Sequence, residues 1–404
     1  MNVPVIAVRA SVTSLALPLV AVFVVSMGFG LVLPVLPFVL ALALGEAVSR
    51  VAISWHTGLL TGTYMLALFL FAPFWGYVSD RVGRRTVILI GLAGFIGAML
   101  WFALARGLVS VYAARAFAGV FAAAVLPAVF AWVSDVRSPP TLAGAFAWLS
   151  AASALGFLFG PTLSGWLASI ETIASAKALA LPFYTAAAVG GGVWLAIYLW
   201  LPESPIRRAA DAPLQPDQSS LLGLLALSLL VMFGIGSFEV GLALQGQQVL
   251  NLGPREIGWM FAECSLVMIL VQIFVLAPLL KRFGRGLLAP AFLAMAVGIA
   301  LLPWAATYPM LIVGVGLVAG ASGVLIPSLA YLVSLAAGTR HGVALGKQTA
   351  AASLGQAVGS AVAGWLFAIL IGGSFWVTAA LLALGAVAAL RVAEALKVVS
   401  NDPG

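Results

Sequence analysis

The chain has 404 residues, of which 63% are hydrophobic and 8% are charged, and its formal net charge is +7. A soluble core of this length cannot bury so many apolar side chains, so the composition excludes a soluble globular protein. The composition indicates a multi-pass membrane protein, in which the positive charge reports membrane orientation rather than nucleic-acid binding. The single cysteine, Cys264, excludes an internal disulfide.

Apolar runs that are long enough to cross a bilayer recur along the whole chain and predict twelve spanning helices. In chain order, the predicted helices are 12–43, 54–78, 86–105, 109–133, 141–168, 178–201, 220–247, 256–280, 286–306, 309–336, 342–369 and 374–397. A polar linker (202–219) separates an N-terminal six-helix bundle (1–201) from a C-terminal one (220–404). The predicted fold class is an all-α membrane protein with two pseudo-symmetric six-helix bundles.

The basic residues lie mainly on one side of the predicted bilayer. With both termini in the cytoplasm, thirteen Lys and Arg residues fall in cytoplasmic segments and four fall on the opposite side. The remaining two, Arg115 and Lys347, lie within predicted helices. Because cytoplasmic loops carry an excess of Lys and Arg, we expect a bacterial inner-membrane protein with cytoplasmic N- and C-termini.

The two halves of the chain resemble each other at matching positions. LGFLFGPTLSGWL (155–167) in the fifth predicted helix matches LGQAVGSAVAGWL (354–366) in the eleventh. VLPAVFAWVS (125–134) in the fourth parallels LIPSLAYLVS (325–334) in the tenth. A third, degraded match lies in a loop described next. Duplicated halves related by an axis along the membrane normal are typical of transporters that alternate access around a midplane site.

A charged loop, GYVSDRVGRR (76–85), joins the second and third predicted helices and has a degraded echo in KRFGRG (281–286). The loop resembles the motif that the major facilitator superfamily carries at this place, and the resemblance extends over the whole chain. It implies a gating network that latches the halves together in the outward-open state. The residues implied are Gly76, Asp80, Arg81, Gly83, Arg84, Arg85 and Asp135. We expect Asp80 to meet the N-terminus of the eleventh predicted helix, and Arg84 or Arg85 to pair with Asp135.

Further motifs resemble the 12-helix drug/proton antiporters of that superfamily, including tetracycline-efflux types. They are MGFGLVLPVLPF (27–38), RAFAG (115–119) and ALGFLFGPTLSG (154–165), the last with Ser164 at a usual glycine position. Tetracycline-efflux proteins carry an acidic residue where this chain has Val25, so tetracycline is not the expected substrate.

The third of these motifs contains small residues at a spacing that lets helices approach closely. These residues are Gly156, Gly160, Pro161 and Gly165. The resemblance places this antiporter motif at the contact between the two halves on the periplasmic side, where it seals against leak. Ordinary helix packing is the alternative interpretation.

Three charged residues lie inside predicted helices. Glu239 and Glu263 fall on the seventh and eighth helices at similar depth, and Arg115 reaches a comparable depth in the other half. A charge at such a depth is costly, and it is usually paired and functional. Two nearby carboxylates favour protonation of one member, so Glu239, Glu263 and Arg115 are the proton-coupling candidates. A snorkelling Glu263 and a static, hydrogen-bonded Glu239 are the alternative.

Phe238, Glu239 and Gln272 are the candidates for the substrate cavity. Met260, Cys264 and Met268 recur at every fourth position of the eighth helix, and soft sulfur ligands suit Cu(I). Methionine and cysteine also fill apolar cores, so no metal site is predicted, and the sulfur residues remain a weaker alternative.

The chain contains no nucleotide-binding loop and no hydrolytic triad, so we expect no enzymatic activity and no cofactor besides the coupled proton. The resemblance implies a monomeric secondary active transporter that exports small amphipathic or cationic compounds by proton-coupled alternating access. Its expected partners are a small-molecule substrate and the lipid bilayer, without nucleic acid. A metal-ion (for example copper) or metabolite transporter of the same fold is the first alternative, and a non-transporting membrane sensor or assembly factor is the second.

Overall fold

The computed structural model describes residues 12–45, 49–136, 139–170, 176–204, 218–305, 307–336 and 341–400. The central part of the predicted linker, residues 205–217, lies outside this range. The helices of the described residues are α1 (Val12–Leu44), α2 (Arg50–Val82), α3 (Arg84–Leu104), α4 (Leu108–Val136), α5 (Pro139–Ala168), α6 (Ala176–Trp200), α7 (Gln218–Leu244), α8 (Pro254–Leu270), α9 (Leu276–Phe283), α10 (Leu288–Leu301), α11 (Tyr308–Ala336), α12 (His341–Ile369) and α13 (Gly373–Ser400).

Short turns of other helical types extend or join some of these helices. A π turn, Gln245–Val249, extends α7, and a second, Val271–Val275, joins α8 to α9 in one rod. Gly284–Leu287 and Leu302–Trp304 form 3-10 turns at the two ends of α10. Predicted helices nine to twelve therefore correspond to α10–α13. Twelve spans in the described residues are long and apolar enough to cross a membrane, as predicted.

The two bundles repeat one packing device. In the first bundle, a Cβ atom at Gly160 of α5 would overlap the carbonyl oxygen of Met27 of α1. In the second, a Cβ atom at Gly359 of α12 would overlap the carbonyl oxygen of Phe233 of α7. The glycine-rich segments that match in sequence thus bring equivalent helix pairs into backbone contact, and the predicted pseudo-symmetry is confirmed in these pairs.

The two bundles contact each other at one end, which we name the closed end. There, Gly58 of α2 faces Gly364 of α12, and a Cβ at Gly364 would lie 2.7 Å from the Gly58 Cα. Gly165 of α5 packs against Gly258 of α8 in the same way, with a Cβ-to-Cα separation of 3.2 Å. We name the opposite end, where α1 begins and α13 ends, the termini end.

A polar contact strengthens the closed end. Gln248, in the π turn after α7, donates from Nε2 to the Ser54 Oγ at 3.1 Å and to the Arg50 carbonyl at 3.3 Å. Ser54 is buried, so this hydrogen bond between the bundles is shielded from solvent. At the termini end, Gly76, Gly144 and Gly346 have no atom within 4 Å of an added Cβ. Among the described residues, the tightest glycine contacts between the bundles therefore lie toward the closed end, whereas these three glycines of the termini end face open space.

Candidate functional site

A cavity of about 590 Å³ lies between the two bundles and extends from their centre toward the termini end. Its wall is largely apolar, and six aromatic side chains contribute to it: Phe29, Tyr64, Phe130, Phe157, Phe238 and Phe261. Of the described residues that line the cavity, Glu239 is the one with a charged side chain. The cavity thus combines an adaptable apolar surface with a single carboxylate.

Glu239 lies on α7, and its side chain is almost fully buried, with 3% of its surface exposed. Gln356 of α12 donates from Nε2 to the Glu239 Oε2 at 2.9 Å. Gly236, one turn before Glu239, brings α7 against the Gln356 backbone, because a Cβ there would overlap the Gln356 carbonyl oxygen. Backbone packing therefore determines how closely the amide and the carboxylate approach.

Arg115 of α4 is also buried, but it lies behind the cavity wall rather than in it. Its guanidinium carbon stands 4.7 Å from the ring centroid of Tyr64 and 5.9 Å from that of Phe29. Its Nε donates to the Leu60 carbonyl at 3.4 Å, while its two terminal nitrogens have no hydrogen-bond partner in the described structure. Arg115 lies within electrostatic range of Glu239, and the rings of Phe29 and Tyr64 stand between its guanidinium and the cavity.

Glu263 has surroundings different from those of Glu239. It does not line the cavity but lies beside α11, where its Oε1 would stand 3.3 Å from a Cβ at Gly316. Successive residues of a helix point roughly 100° apart, and the next residue, Cys264, takes the cavity-facing direction. The two carboxylates predicted to lie at similar depth therefore do not share the cavity, although both residues lie within the membrane-spanning region as expected.

The three predicted cavity residues, Phe238, Glu239 and Gln272, all line the cavity. Two of the three sulfur residues, Cys264 and Met268, line the cavity. The third, Met260, is fully buried and does not line the cavity, and its side chain lies 3.5 Å from a Cβ at Gly246. The described residues contain no cluster of three or more His, Cys, Asp or Glu side chains that suits a metal ion. The structure therefore does not assemble the three-sulfur arrangement of the metal alternative.

The gating motif forms a compact charge network at the termini end. Arg84 pairs with Asp80 at 2.5 Å and, through Nε, with Asp135 at 3.2 Å, so Arg84 rather than Arg85 contacts Asp135. Arg85 instead donates to the Tyr198 carbonyl and lies 3.7 Å from Glu203.

The remaining motif residues surround this network. Arg81 stacks on Tyr77 at 4.1 Å from the ring centroid. Gly83 has φ +97°, a conformation that favours glycine. The Asp80 side chain is 63% exposed, and its ion-pair partner among the described residues is Arg84 of its own bundle.

The antiporter-motif residues serve two different contacts. Gly165 packs on α8 at the closed end, where a Cβ would lie 2.6 Å from the Pro254 carbonyl oxygen, and Pro161 faces Gly258 of the same helix. Gly156 and Gly160 instead pack on α1 within their own bundle. The expected contact between halves therefore involves Pro161 and Gly165, because the four motif residues occupy two helical faces.

Sequence reasoning missed Gln356 and Tyr64. Gln356 had one available signal, a lone amide inside the glycine-spaced repeat LGQAVG (354–359), but repeat matching draws attention to the glycines. Tyr64 carried no signal, because nothing in the sequence shows that it stacks on a buried arginine.

Comparison with known proteins identifies the family. A family model described as Major Facilitator Superfamily matches residues 19–253 and 224–402 of the chain. The chain belongs to the Major Facilitator Superfamily. It is accordingly a membrane transporter and not an enzyme, as predicted.

The chain is similar to two curated bacterial proteins. It is 27% identical over 356 residues to the Quinolone resistance protein NorA of Staphylococcus aureus (strain COL), covering 86% of this chain and 88% of that protein. It is 26% identical over 383 residues to the Multidrug resistance protein 1 of Bacillus subtilis (strain 168), covering 92% and 94%.

Solved structures show the same fold. The human organic anion transporter MFSD10 (TETRAN) matches with a TM-score of 0.70 at 22% identity, covering 93% of this chain and 98% of that chain. An auto-inhibited POT-family peptide transporter matches with a TM-score of 0.78 at 14% identity, covering 95% and 97%. At these identities the likeness supports the fold and carries no information on substrate.

Proposed function

We propose that this transporter exports small amphipathic cations of several kinds in exchange for protons, by alternating access. The observation that carries the proposal is the single buried carboxylate, Glu239, in a cavity otherwise lined by aromatic, aliphatic and uncharged polar side chains. The names of two similar proteins, a quinolone resistance protein and a multidrug resistance protein, agree with a substrate range of this kind.

The cavity chemistry favours cations that carry apolar groups. A cavity of about 590 Å³ with six aromatic side chains accommodates flat, apolar ring systems by stacking and burial. A carboxylate removed from water attracts a cation strongly, because the low dielectric constant weakens screening. Apolar contacts place few constraints on the shape of a ligand. An apolar cavity with one charged group can therefore bind several different cations.

Glu239 provides a simple mechanism for exchange. A substrate cation and a proton both neutralise the same carboxylate, so binding of one disfavours binding of the other. Arg115 lies behind Phe29 and Tyr64, where it interacts electrostatically with Glu239 without occupying the cavity. We propose that Arg115 lowers the free-energy cost of burying the ionised Glu239 carboxylate during the step in which neither a proton nor a substrate is bound.

Alternating access requires that the closed end open and the termini end close. If the termini are cytoplasmic, as the distribution of basic residues predicts, the cavity of this conformation extends toward the cytoplasm. Opening the far side then separates Gly58 from Gly364 and breaks the Gln248–Ser54 hydrogen bond. In that state we propose that the exposed Asp80 meets the N-terminus of α12, with Arg84 and Asp135 completing the latch.

The proposal includes the remaining expectations for this protein. It acts as a monomer in the bacterial inner membrane, with a small-molecule substrate and the surrounding lipid as its partners. Apart from the coupled proton, it uses no cofactor.

The test compares two identical substitutions, Glu239→Gln and Glu263→Gln, in proteoliposomes loaded with a fluorescent monovalent aromatic cation. An imposed proton gradient is expected to drive cation transport in the wild type and in Glu263→Gln, because Glu263 lies outside the cavity. Glu239→Gln is expected to lose gradient-driven transport. Gradient-driven transport at the wild-type rate in Glu239→Gln would contradict the proposal.

A further inference from the structure

Gln356 occupies a position where packing does not require a polar residue. It lies on α12 beside Gly355 and Gly359, at which a Cβ would overlap carbonyl oxygens of α7. The matching segment of the first bundle, α5, packs its Gly156 against α1 in the same manner, and there Phe157 stands where α12 has Gln356. One bundle therefore builds this helix contact with an aromatic residue, so the amide of Gln356 serves another purpose.

The geometry points to a role for Gln356 as the positioning residue that holds the Glu239 carboxylate ready for either a proton or a substrate cation. This inference rests on the proposed function of Glu239. Both side chains line the cavity, both are at least nine-tenths buried, and the Gln356 Nε2 lies 2.9 Å from the Glu239 Oε2. A primary amide suits the role because it is both a donor and an acceptor.

The amide can accompany both charge states of the carboxylate. Its Nε2, which donates to the Glu239 Oε2 in this structure, can hold the ionised form, and its Oε1 can accept from the hydroxyl of the protonated form after the amide turns over. Other groups that interact with Glu239 are the Arg115 charge from α4 and the Cys264 thiol from α8, while Tyr64 of α2 packs on Arg115. Among these, Gln356 is the group for which the structure gives a hydrogen bond to the carboxylate.

The position of Gln356 also connects the carboxylate to the closed end. Gln356 precedes Gly364 by eight residues on α12, or about 12 Å along the helix axis. Gly364 is the residue that meets Gly58 where the two bundles join. The helix that holds Gln356, α12, therefore also forms the Gly364–Gly58 contact at the closed end. A change in the hydrogen bond to Glu239 acts on this helix.

The experiment measures how binding of a fluorescent monovalent aromatic cation to the purified full-length protein depends on pH. Gln356→Met keeps an unbranched side chain of similar length but removes the amide, so both charge states of the carboxylate lose a hydrogen bond, and the ionised form loses the stronger, charge-assisted one. Half-maximal binding is then expected at a pH about one unit higher, which is a tenfold change in proton concentration. Phe157→Met, at the equivalent position of the other bundle, is expected to weaken binding without moving the pH midpoint.

Two results distinguish failure of this inference from failure of the proposed function. If Gln356→Met binds with the wild-type pH midpoint while Glu239→Gln loses pH dependence, Gln356 is not the positioning residue. If Glu239→Gln keeps the wild-type pH dependence, the proposed function itself is wrong. Should Gln356→Met fail to insert, Gln356→Asn, which withdraws the amide by one methylene group, is expected to shift the midpoint in the same direction, and an unshifted midpoint would overturn the inference.

Discussion

Substitution of Gly364 by alanine tests whether the closed end depends on backbone contact between α2 and α12. The added Cβ would lie 2.7 Å from the Gly58 Cα and 2.5 Å from the Ser54 carbonyl oxygen, against an ordinary contact of 3.4 Å or more. Neither neighbour is a flexible side chain, so the helices must separate by about 0.9 Å to bring the shorter contact to 3.4 Å. Overpacking of this kind costs about 1–3 kcal/mol, which lowers the equilibrium ratio of the closed to the opened state roughly 5- to 150-fold.

The population change can be read from cysteine accessibility. In a Cys264→Ala background, Thr57→Cys places a thiol at a buried position one residue before Gly58. We expect a membrane-impermeant maleimide, added on the side opposite the termini, to label this thiol faster in Gly364→Ala than in the parent. Gly192→Ala in α6, where no atom lies within 4 Å of the new Cβ, is the matched control and should label at the parent rate. Parent-rate labelling together with parent-rate transport in Gly364→Ala would refute the argument.

Three further substitutions test the charge network and the sulfur residues. Arg84→Gln leaves the buried Asp135 without its cation, so we expect a stability loss of about 3–5 kcal/mol, seen as a lower melting temperature in detergent. Arg85→Gln breaks a pair whose Glu203 side chain is 54% exposed and should cost about 1 kcal/mol or less, so equal losses in the two variants would contradict this assignment. Cys264→Ala should retain cation transport, because its neutral thiol serves as apolar wall, and a loss of transport would instead favour a sulfur ligand.

The helices and their order could be predicted because each span must satisfy its own backbone hydrogen bonds in the bilayer. Apolar length then defines a helix almost unaided, and the predicted start of the third helix, residue 86, lies two residues from the observed start at Arg84. The pairing of Asp135 with Arg84 or Arg85 could also be predicted, because these residues lie at the ends of spans on the same side of the membrane, and the structure pairs it with Arg84. These features depend on distance along the membrane normal, which sequence position gives directly.

Rotation of each helix about its axis could not be predicted in the same way. Spanning helices are apolar on several faces, so hydrophobic periodicity does not show which face meets the cavity. Glu263 illustrates the consequence: its depth was predicted, yet it faces α11 while its neighbour Cys264 lines the cavity. Gln356 illustrates a second limit, because its hydrogen bond to Glu239 arises from contact between helices that are distant in sequence.

In the proposed mechanism, a substrate cation and a proton compete for the Glu239 carboxylate. The most direct measurement is proton release when a non-titrating aromatic cation binds to the purified protein in weakly buffered detergent solution, at a pH that keeps the carboxylate protonated. Competition for one site predicts about one proton released per cation bound in the wild type, and none in Glu239→Gln. Saturable cation binding by the wild type without proton release would contradict the claim.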